Sequence, residues 1–144
     1  MIVPDVNLLL HAYRAAAPEH RRARAWWEKS VASDEVGLAL PVIFGFIRLT
    51  TNPRIFDDPM PVEDAIAAAE SWLVQPGVRA LLPGPRHFDI AFGLLRKLGS
   101  AANLTTDVQI AALAIEHQAE LCSNDTDFGR FPGLRWRNPL ATKP

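Results

Sequence analysis

An α/β domain with a mainly parallel central sheet, covered by helices on both faces, is the fold class this sequence predicts. Two observations carry that expectation. Short apolar runs of strand character alternate with longer helical segments along all 144 residues. No internal repeat, low-complexity tract or linker interrupts the alternation, so residues 1–144 read as one domain. Sheets of this kind bind ligands beyond the carboxyl ends of their strands, which directs attention to whatever follows each strand.

The elements follow in order. Met1-Ile2-Val3-Pro4 is an apolar run ending at Asp5, and Val6, Leu8, Leu9, Leu10, Ala12 and Tyr13 have the density of a buried helix. Pro18 can open a second helix, since a first turn does not need its missing N–H, and Glu19 adds a favourable charge there. Val36 to Leu40 is the second strand, and Ile43 to Thr50 a helix that stops before Asn52-Pro53. Ile55 to Pro61 reads as an exposed loop, and Glu63 to Val74 as an Ala-rich helix ended by Pro76-Gly77. Val78 to Leu82 is a third strand. Phe88 to Leu98 is a helix with Gly99 as its stop, and Thr106 to His117 another with Ile110, Ala111, Ala114 and Ile115 on one buried face. Ala119 to Ser123 is a fourth strand, and Leu134-Arg135-Trp136 a fifth at the edge. The sheet therefore has four to five strands.

Composition removes several function classes. With 15 Lys+Arg against 16 Asp+Glu the formal net charge is -1, which argues against a polycation that coats nucleic acid. One cysteine, Cys122, makes no internal disulfide, and four histidines beside it do not build a thiolate zinc framework. Cys122 is expected to be buried and inert in its strand. The longest uncharged stretch, Val36 to Ile47, is 12 residues and contains Pro41 and Gly45, too short to span a bilayer. Asp5 arrives before any basic segment and apolar run of a secretory signal can form, so a cytoplasmic protein is expected, with no membrane partner.

Acidic residues occupy the positions that matter. Asp5 follows the first strand, Asp107 opens the Thr105-Thr106-Asp107 helix, and Asp125 and Asp127 follow Ser123-Asn124. Taken singly, each has a structural use as a helix cap, a first-turn acid or a turn residue. Gathered at one sheet end they repel one another, and hard divalent cations such as Mg²⁺ or Mn²⁺, which favour oxygen ligands, relieve that repulsion. Such a site suits attack of water on a phosphodiester. No Ser-His-Asp order or activated cysteine offers a rival nucleophile.

Four stretches carry a family resemblance: Val3-Pro4-Asp5-Val6-Asn7-Leu8-Leu9; Phe46-Ile47-Arg48-Leu49-Thr50-Thr51-Asn52-Pro53; Leu104-Thr105-Thr106-Asp107 with Ile110-Ala111-Ala112-Leu113-Ala114; and Ser123-Asn124-Asp125-Thr126-Asp127-Phe128. Together and in this order they resemble the PIN-domain ribonucleases, in particular the VapC toxins of bacterial type II toxin-antitoxin modules. The resemblance implies a PIN fold, an endoribonuclease dependent on Mg²⁺ or Mn²⁺, and a VapB-type antitoxin whose C-terminal segment wraps the toxin. It also implies a homodimer within a toxin-antitoxin hetero-oligomer. Asp5 and Asp107 match the principal metal-binding acids and Asp125 the later one; Asp127 matches a nearby acidic position. Asn7, Thr105 and Ser123 match polar positions that hold carboxylates or water. One departure stands out: many members have Glu three residues before the Arg of the third-helix motif, where this chain has Gly45 before Arg48. Glu116, nine residues beyond Asp107 on its helix, falls on the opposite face and does not replace it.

Other features keep two readings each. Arg21, Arg22 and Arg24, with Lys29, could contact an RNA backbone or form a solvated helix face. Trp26 and Trp27 point about 100° apart on a helix, so one is expected inside and the other at a groove or interface. Arg48 could pair with a carboxylate, hold a phosphate or make a structural ion pair. Arg130, Arg135, Arg137 and Lys143 make the C-terminal end basic. The apolar helices near Ile43 to Leu49 and Ile66 to Leu73 are candidate dimer surfaces or faces packed in the core. A weakly active or non-catalytic module that binds RNA or antitoxin is the alternative that Gly45 motivates. A haloacid dehalogenase-type phosphatase would need a second acid where this chain has Asn7.

Overall fold

The computed structural model describes residues 1–141, so Lys143 and any role for it lie outside the described residues. In chain order the elements are β1 (Ile2–Pro4), α1 (Val6–Tyr13), α2 (His20–Ser33), β2 (Val36–Ala39), α3 (Leu40–Thr50), α4 (Val62–Leu73), β3 (Val78–Leu81), α5 (His87–Leu98), α6 (Thr105–Glu116), β4 (Glu120–Cys122) and β5 (Trp136–Arg137). Short 3₁₀ turns cover Ala102–Leu104 and Thr126–Arg130. The five strands form one sheet in the order β3-β2-β1-β4-β5, and every neighbouring pair is parallel.

This order creates a switch point. From β1 the chain steps to β2 and β3 in one direction, then returns from β3 across the sheet to β4. Right-handed crossovers place the helices of the first two connections on one face and α5 and α6 on the other. The order reverses between β1 and β4, where diverging connections leave a crevice at the carboxyl ends. Pairing of Pro4 with Cys122 sets Asp5 and Ser123 side by side at that edge.

Several boundaries differ from the sequence expectation for identifiable reasons. The second strand ends at Ala39, and α3 starts at Leu40 because Pro41 fits a first helical turn. Pro18 sits in a turn, and α2 begins at His20, where the N–H bonds back to Ala17 at 3.0 Å. The edge strand pairs Trp136 and Arg137 with Leu121 and Cys122, displaced from the expected 134–136. Gly99 ends α5 as expected, at φ 70°, with its N–H on the Leu95 carbonyl. Gly37 is needed for close approach: a Cβ there would stand 2.5 Å from Leu81 Cδ1. Cys122 is buried, and burial pushes its thiol up to about 12, so it is inert at physiological pH.

The four helices of the first two connections are joined by an aromatic cluster. Trp72 of α4 packs edge-on against Phe46 of α3 at 4.9 Å, Trp27 of α2 at 5.5 Å and Tyr13 of α1 at 5.6 Å. Its indole N–H donates to the Tyr13 hydroxyl at 2.8 Å, so its polar atom is satisfied in the core. Trp27 is buried and Trp26 half-buried, the division expected of adjacent helical tryptophans. No helix among the described residues is long and apolar enough to cross a membrane.

Because Trp72 touches three other helices, Trp72→Ala is expected to destabilise the chain by about 3–5 kcal/mol in urea unfolding. A loss below about 1 kcal/mol would show that this cluster does not hold the four helices together.

Candidate functional site

Asp5 leaves β1 with extended backbone and caps α1, its carboxylate accepting the Val6 N–H at 2.8 Å. It is only 5% exposed. Ser123, fully buried at the end of β4, donates its hydroxyl to the second Asp5 oxygen at 2.9 Å. The same hydroxyl oxygen accepts from Asn7 Nδ2 at 3.2 Å and from the Asp125 N–H at 3.0 Å. Asn7 Oδ1 lies 3.4 Å from it, but the single hydroxyl proton goes to the nearer, charged acceptor. Asp125 in turn accepts the Asp127 N–H at 2.9 Å and opens the 3₁₀ turn. Ser123 thus links the ends of β1 and β4, the start of α1 and the acidic loop.

Asp107 stands in the first turn of α6, where the helix dipole favours a negative charge. Even so, its carboxyl is raised from an ordinary 3.8 to about 6, first by partial burial and then by the charges of Asp5, Asp125 and Asp127. Burial also raises Asp5; the Ser123 and Val6 hydrogen bonds oppose this, and Asp125 adds to it. The charges of Asp5, Asp125 and Asp127 thus reach Asp107, and that of Asp125 reaches Asp5.

The donor set suits a hard divalent cation, since every candidate ligand is a carboxylate oxygen and the site carries unrelieved like-charge repulsion. Among the described residues no three carboxylate, imidazole or thiol groups are gathered tightly enough to hold an ion by themselves. Mg²⁺ commonly keeps waters and uses one or two carboxylates with substrate phosphates.

Other residues singled out from the sequence are placed differently. The Thr105 hydroxyl donates to the Ala102 carbonyl at 3.1 Å, closing its own turn instead of bonding an acid. Arg22 donates to the Leu140 carbonyl, mooring the C-terminal segment. Arg24 pairs with Glu28 at 2.7 Å and lies 4.7 Å from the Tyr13 ring centre. Both therefore have structural work, whereas Arg21 and Arg48 are exposed and make no ion pair among the described residues. At the C-terminal end, Arg137 pairs with Glu120 at 2.8 Å and Arg135 donates to the Gln118 carbonyl. Glu116 accepts the Gly84 and Arg86 N–H groups at 2.7 and 2.8 Å, away from the acids. Gly45 is half-buried; a Cβ there would meet only Val6 Cγ2, at 3.7 Å, next to Asp5. His11 and Asn124, whose side chains meet at 3.3 Å beside the acidic loop, carry no expectation from the sequence. The Asn7-to-His11 spacing, one turn on the same helix face, was the available signal.

Comparison with known proteins bears on the family and the fold. The PIN domain family model matches residues 2–134. Ribonuclease VapC33 of Mycobacterium tuberculosis is 54% identical over 141 residues, covering 97% of this chain and 99% of that protein. Ribonuclease VapC37 of the same organism is 39% identical over 142 residues, covering 98% and 99%. The solved structure of VapBC-1 from nontypeable Haemophilus influenzae covers 98% of this chain and 100% of its own, with a TM-score of 0.71 at 18% identity, a likeness of fold.

The raised Asp107 carboxyl has a consequence for stability. Between about pH 4 and 6 the folded chain keeps a proton that the unfolded chain has lost, so stability falls as pH rises through that window. Above it the ionised carboxylate is a constant penalty. Asp107→Asn is therefore expected to stabilise the metal-free chain by about 1–2 kcal/mol at pH 7.5, allowing for solvent screening, and little at pH 4. Urea unfolding in EDTA at both pH values checks this; equal stability of the two proteins at pH 7.5 contradicts it.

Proposed function

The chain belongs to the PIN-domain family, and from that premise we propose that it is a VapC-type endoribonuclease, the toxin counterpart of a VapB-type antitoxin, with activity dependent on Mg²⁺ or Mn²⁺. The observation that supports this reading most is the placement of Asp5 and the Asp125–Asp127 loop at the switch point, with Asp107 in the first turn of α6 raised to about 6 by partial burial and then by the charges of the other three. A 54% identical relative named as a ribonuclease supports the choice of chemistry.

Asp5 and Asp107, with Asp125, are the residues that would hold the cation. When bound, it supplies positive charge at the scissile phosphate and makes a water easier to deprotonate. The protein's own residues do the positioning. The Val6 N–H and the Ser123 hydroxyl fix both Asp5 oxygens, Asn7 steadies Ser123, and the Ser123 oxygen holds the start of the acidic loop through the Asp125 N–H. Arg48 lies three residues after Gly45, about one turn along α3, and its uncommitted guanidinium suits an RNA phosphate. Exposed Arg21 has the same capacity; Arg22 and Arg24 add charge only from within their intramolecular contacts.

For assembly, the exposed apolar side chains Leu40 and Phe44 of α3, with Phe88 and Phe92 of α5, support a homodimer inside the toxin-antitoxin complex. The VapBC-1 structure is a fold neighbour whose name pairs toxin with antitoxin, which supports a partner of that kind.

Gly45 favours a second reading, a PIN module that binds RNA or antitoxin with little or no cleavage. One experiment separates them: incubation of a total-RNA pool with wild type, Asp5→Asn and Gly45→Glu in Mg²⁺, Mn²⁺ or EDTA, with mapping of new ends. The nuclease reading expects ends from wild type with metal and none in EDTA. It expects a loss of about 100-fold or more in Asp5→Asn, which retains a cap for Val6. Space at position 45 leads us to expect that Gly45→Glu folds and cleaves at lower metal concentration. RNA binding with no cleavage by wild type would establish the module instead, and undiminished cleavage by Asp5→Asn would remove the site assignment.

A further inference from the structure

The polar contacts around the acids continue beyond Ser123. The next residue, Asn124, directs Nδ2 at His11 Nε2, 3.3 Å away. His11 is one turn after Asn7 on α1, so the same helix face meets β4's loop at two points. On its other side His11 Nδ1 lies 3.7 Å from Glu19 Oε2, an electrostatic contact longer than a hydrogen bond. His20 Nδ1 reaches the His11 backbone carbonyl at 2.9 Å, tying the start of α2 to the same point. The carboxylate favours a proton on Nδ1, which leaves Nε2 as the acceptor for the Asn124 amide.

The place of Asn124 gives this chain of contacts its meaning. Residues 124–127 run between buried Ser123 and buried Phe128 and carry Asp125 and Asp127. Backbone and side-chain bonds secure the Ser123 end: its N–H reaches the Arg137 carbonyl and its carbonyl accepts the Trp136 indole N–H. Like charge disfavours close approach of Asp125 and Asp127 to Asp107 and of Asp125 to Asp5. The Asn124 amide on His11 is a lateral tie that opposes this, anchored in α1 and not in the acids.

We propose that His11 is a positioning residue for the acidic site: it holds Asn124, and thereby sets where Asp125 and Asp127 stand relative to Asp5 and Asp107, with Glu19 selecting the imidazole tautomer. This deepens the nuclease reading and rests on it. Glu19, His11 and Asn124 form one functional unit with the acids, although none of the three is a ligand.

The test uses wild type, His11→Leu, His11→Gln, Asn124→Ala and the His11→Leu/Asn124→Ala double variant, measuring Mn²⁺ binding by calorimetry and melting temperature. Long-range proton–nitrogen NMR of the wild-type imidazole is expected to show the Nδ1–H tautomer. His11→Leu and Asn124→Ala should each weaken Mn²⁺ binding about tenfold, and the double variant no further. His11→Gln, whose amide oxygen can accept from Asn124, should recover most of the loss. Wild-type affinity in His11→Leu overturns the proposal. So do single losses that multiply in the double variant, or a Gln variant that melts like wild type yet binds as poorly as Leu. If wild type itself binds no Mn²⁺ and cleaves no RNA, the nuclease reading falls and takes this proposal with it; if wild type binds and His11→Leu matches it, only the positioning role falls.

Discussion

The buried hydroxyl of Ser123 lies where β1 and β4 end together, donating to Asp5 while accepting from Asn7 and from the backbone of Asp125. Much of the site follows from that one contact. The register Pro4 to Cys122 brings the two strand ends level, and the hydroxyl converts that alignment into a fixed carboxylate. It also brings the acidic loop against Asp5, and Asp107 approaches from the first turn of α6. Favourable hydrogen bonds thus hold together groups whose charges disfavour it. The result is a site whose electrostatic balance favours added positive charge, which is the physical basis on which a cation and a phosphate-bearing substrate are proposed.

Much of this was legible in the sequence because it depends on local order. Asp5 and Ser123 each follow a short apolar run, and in a parallel sheet such residues fall at the carboxyl edge whatever the side-chain packing. Asp107 was legible as a first-turn acid. The helix at Leu40 was not, because its start was hidden by an apolar run that reads equally as strand, and only Pro41 in the first turn shows the change. Arg22 and Arg24 look like one basic helix face, yet their partners, Leu140 and the Tyr13 ring, come from distant or neighbouring elements that no local pattern reveals. The pairing of His11 with Asn124 spans the chain in the same way.

Gly45 bears on how strongly the site is charged. A carboxylate there would add to a cluster that already raises Asp107, and its absence leaves the metal-free fold with less repulsion. In the proposed nuclease the site therefore relies on aspartates placed by the sheet edge and on a loop tied by side-chain contacts. Arg48, about one turn along the same helix, keeps a positive group available without neutralising the acids through an ion pair.

The proposed nuclease site requires that these carboxylates share one field that a divalent cation relieves. Its most direct test is carbon NMR titration of the Asp107 carboxyl, without metal and with saturating Mg²⁺. A midpoint of about 6 is expected without metal, with a fall toward the ordinary carboxylate range in Mg²⁺. An ordinary midpoint in metal-free protein, unchanged by Mg²⁺, would contradict it.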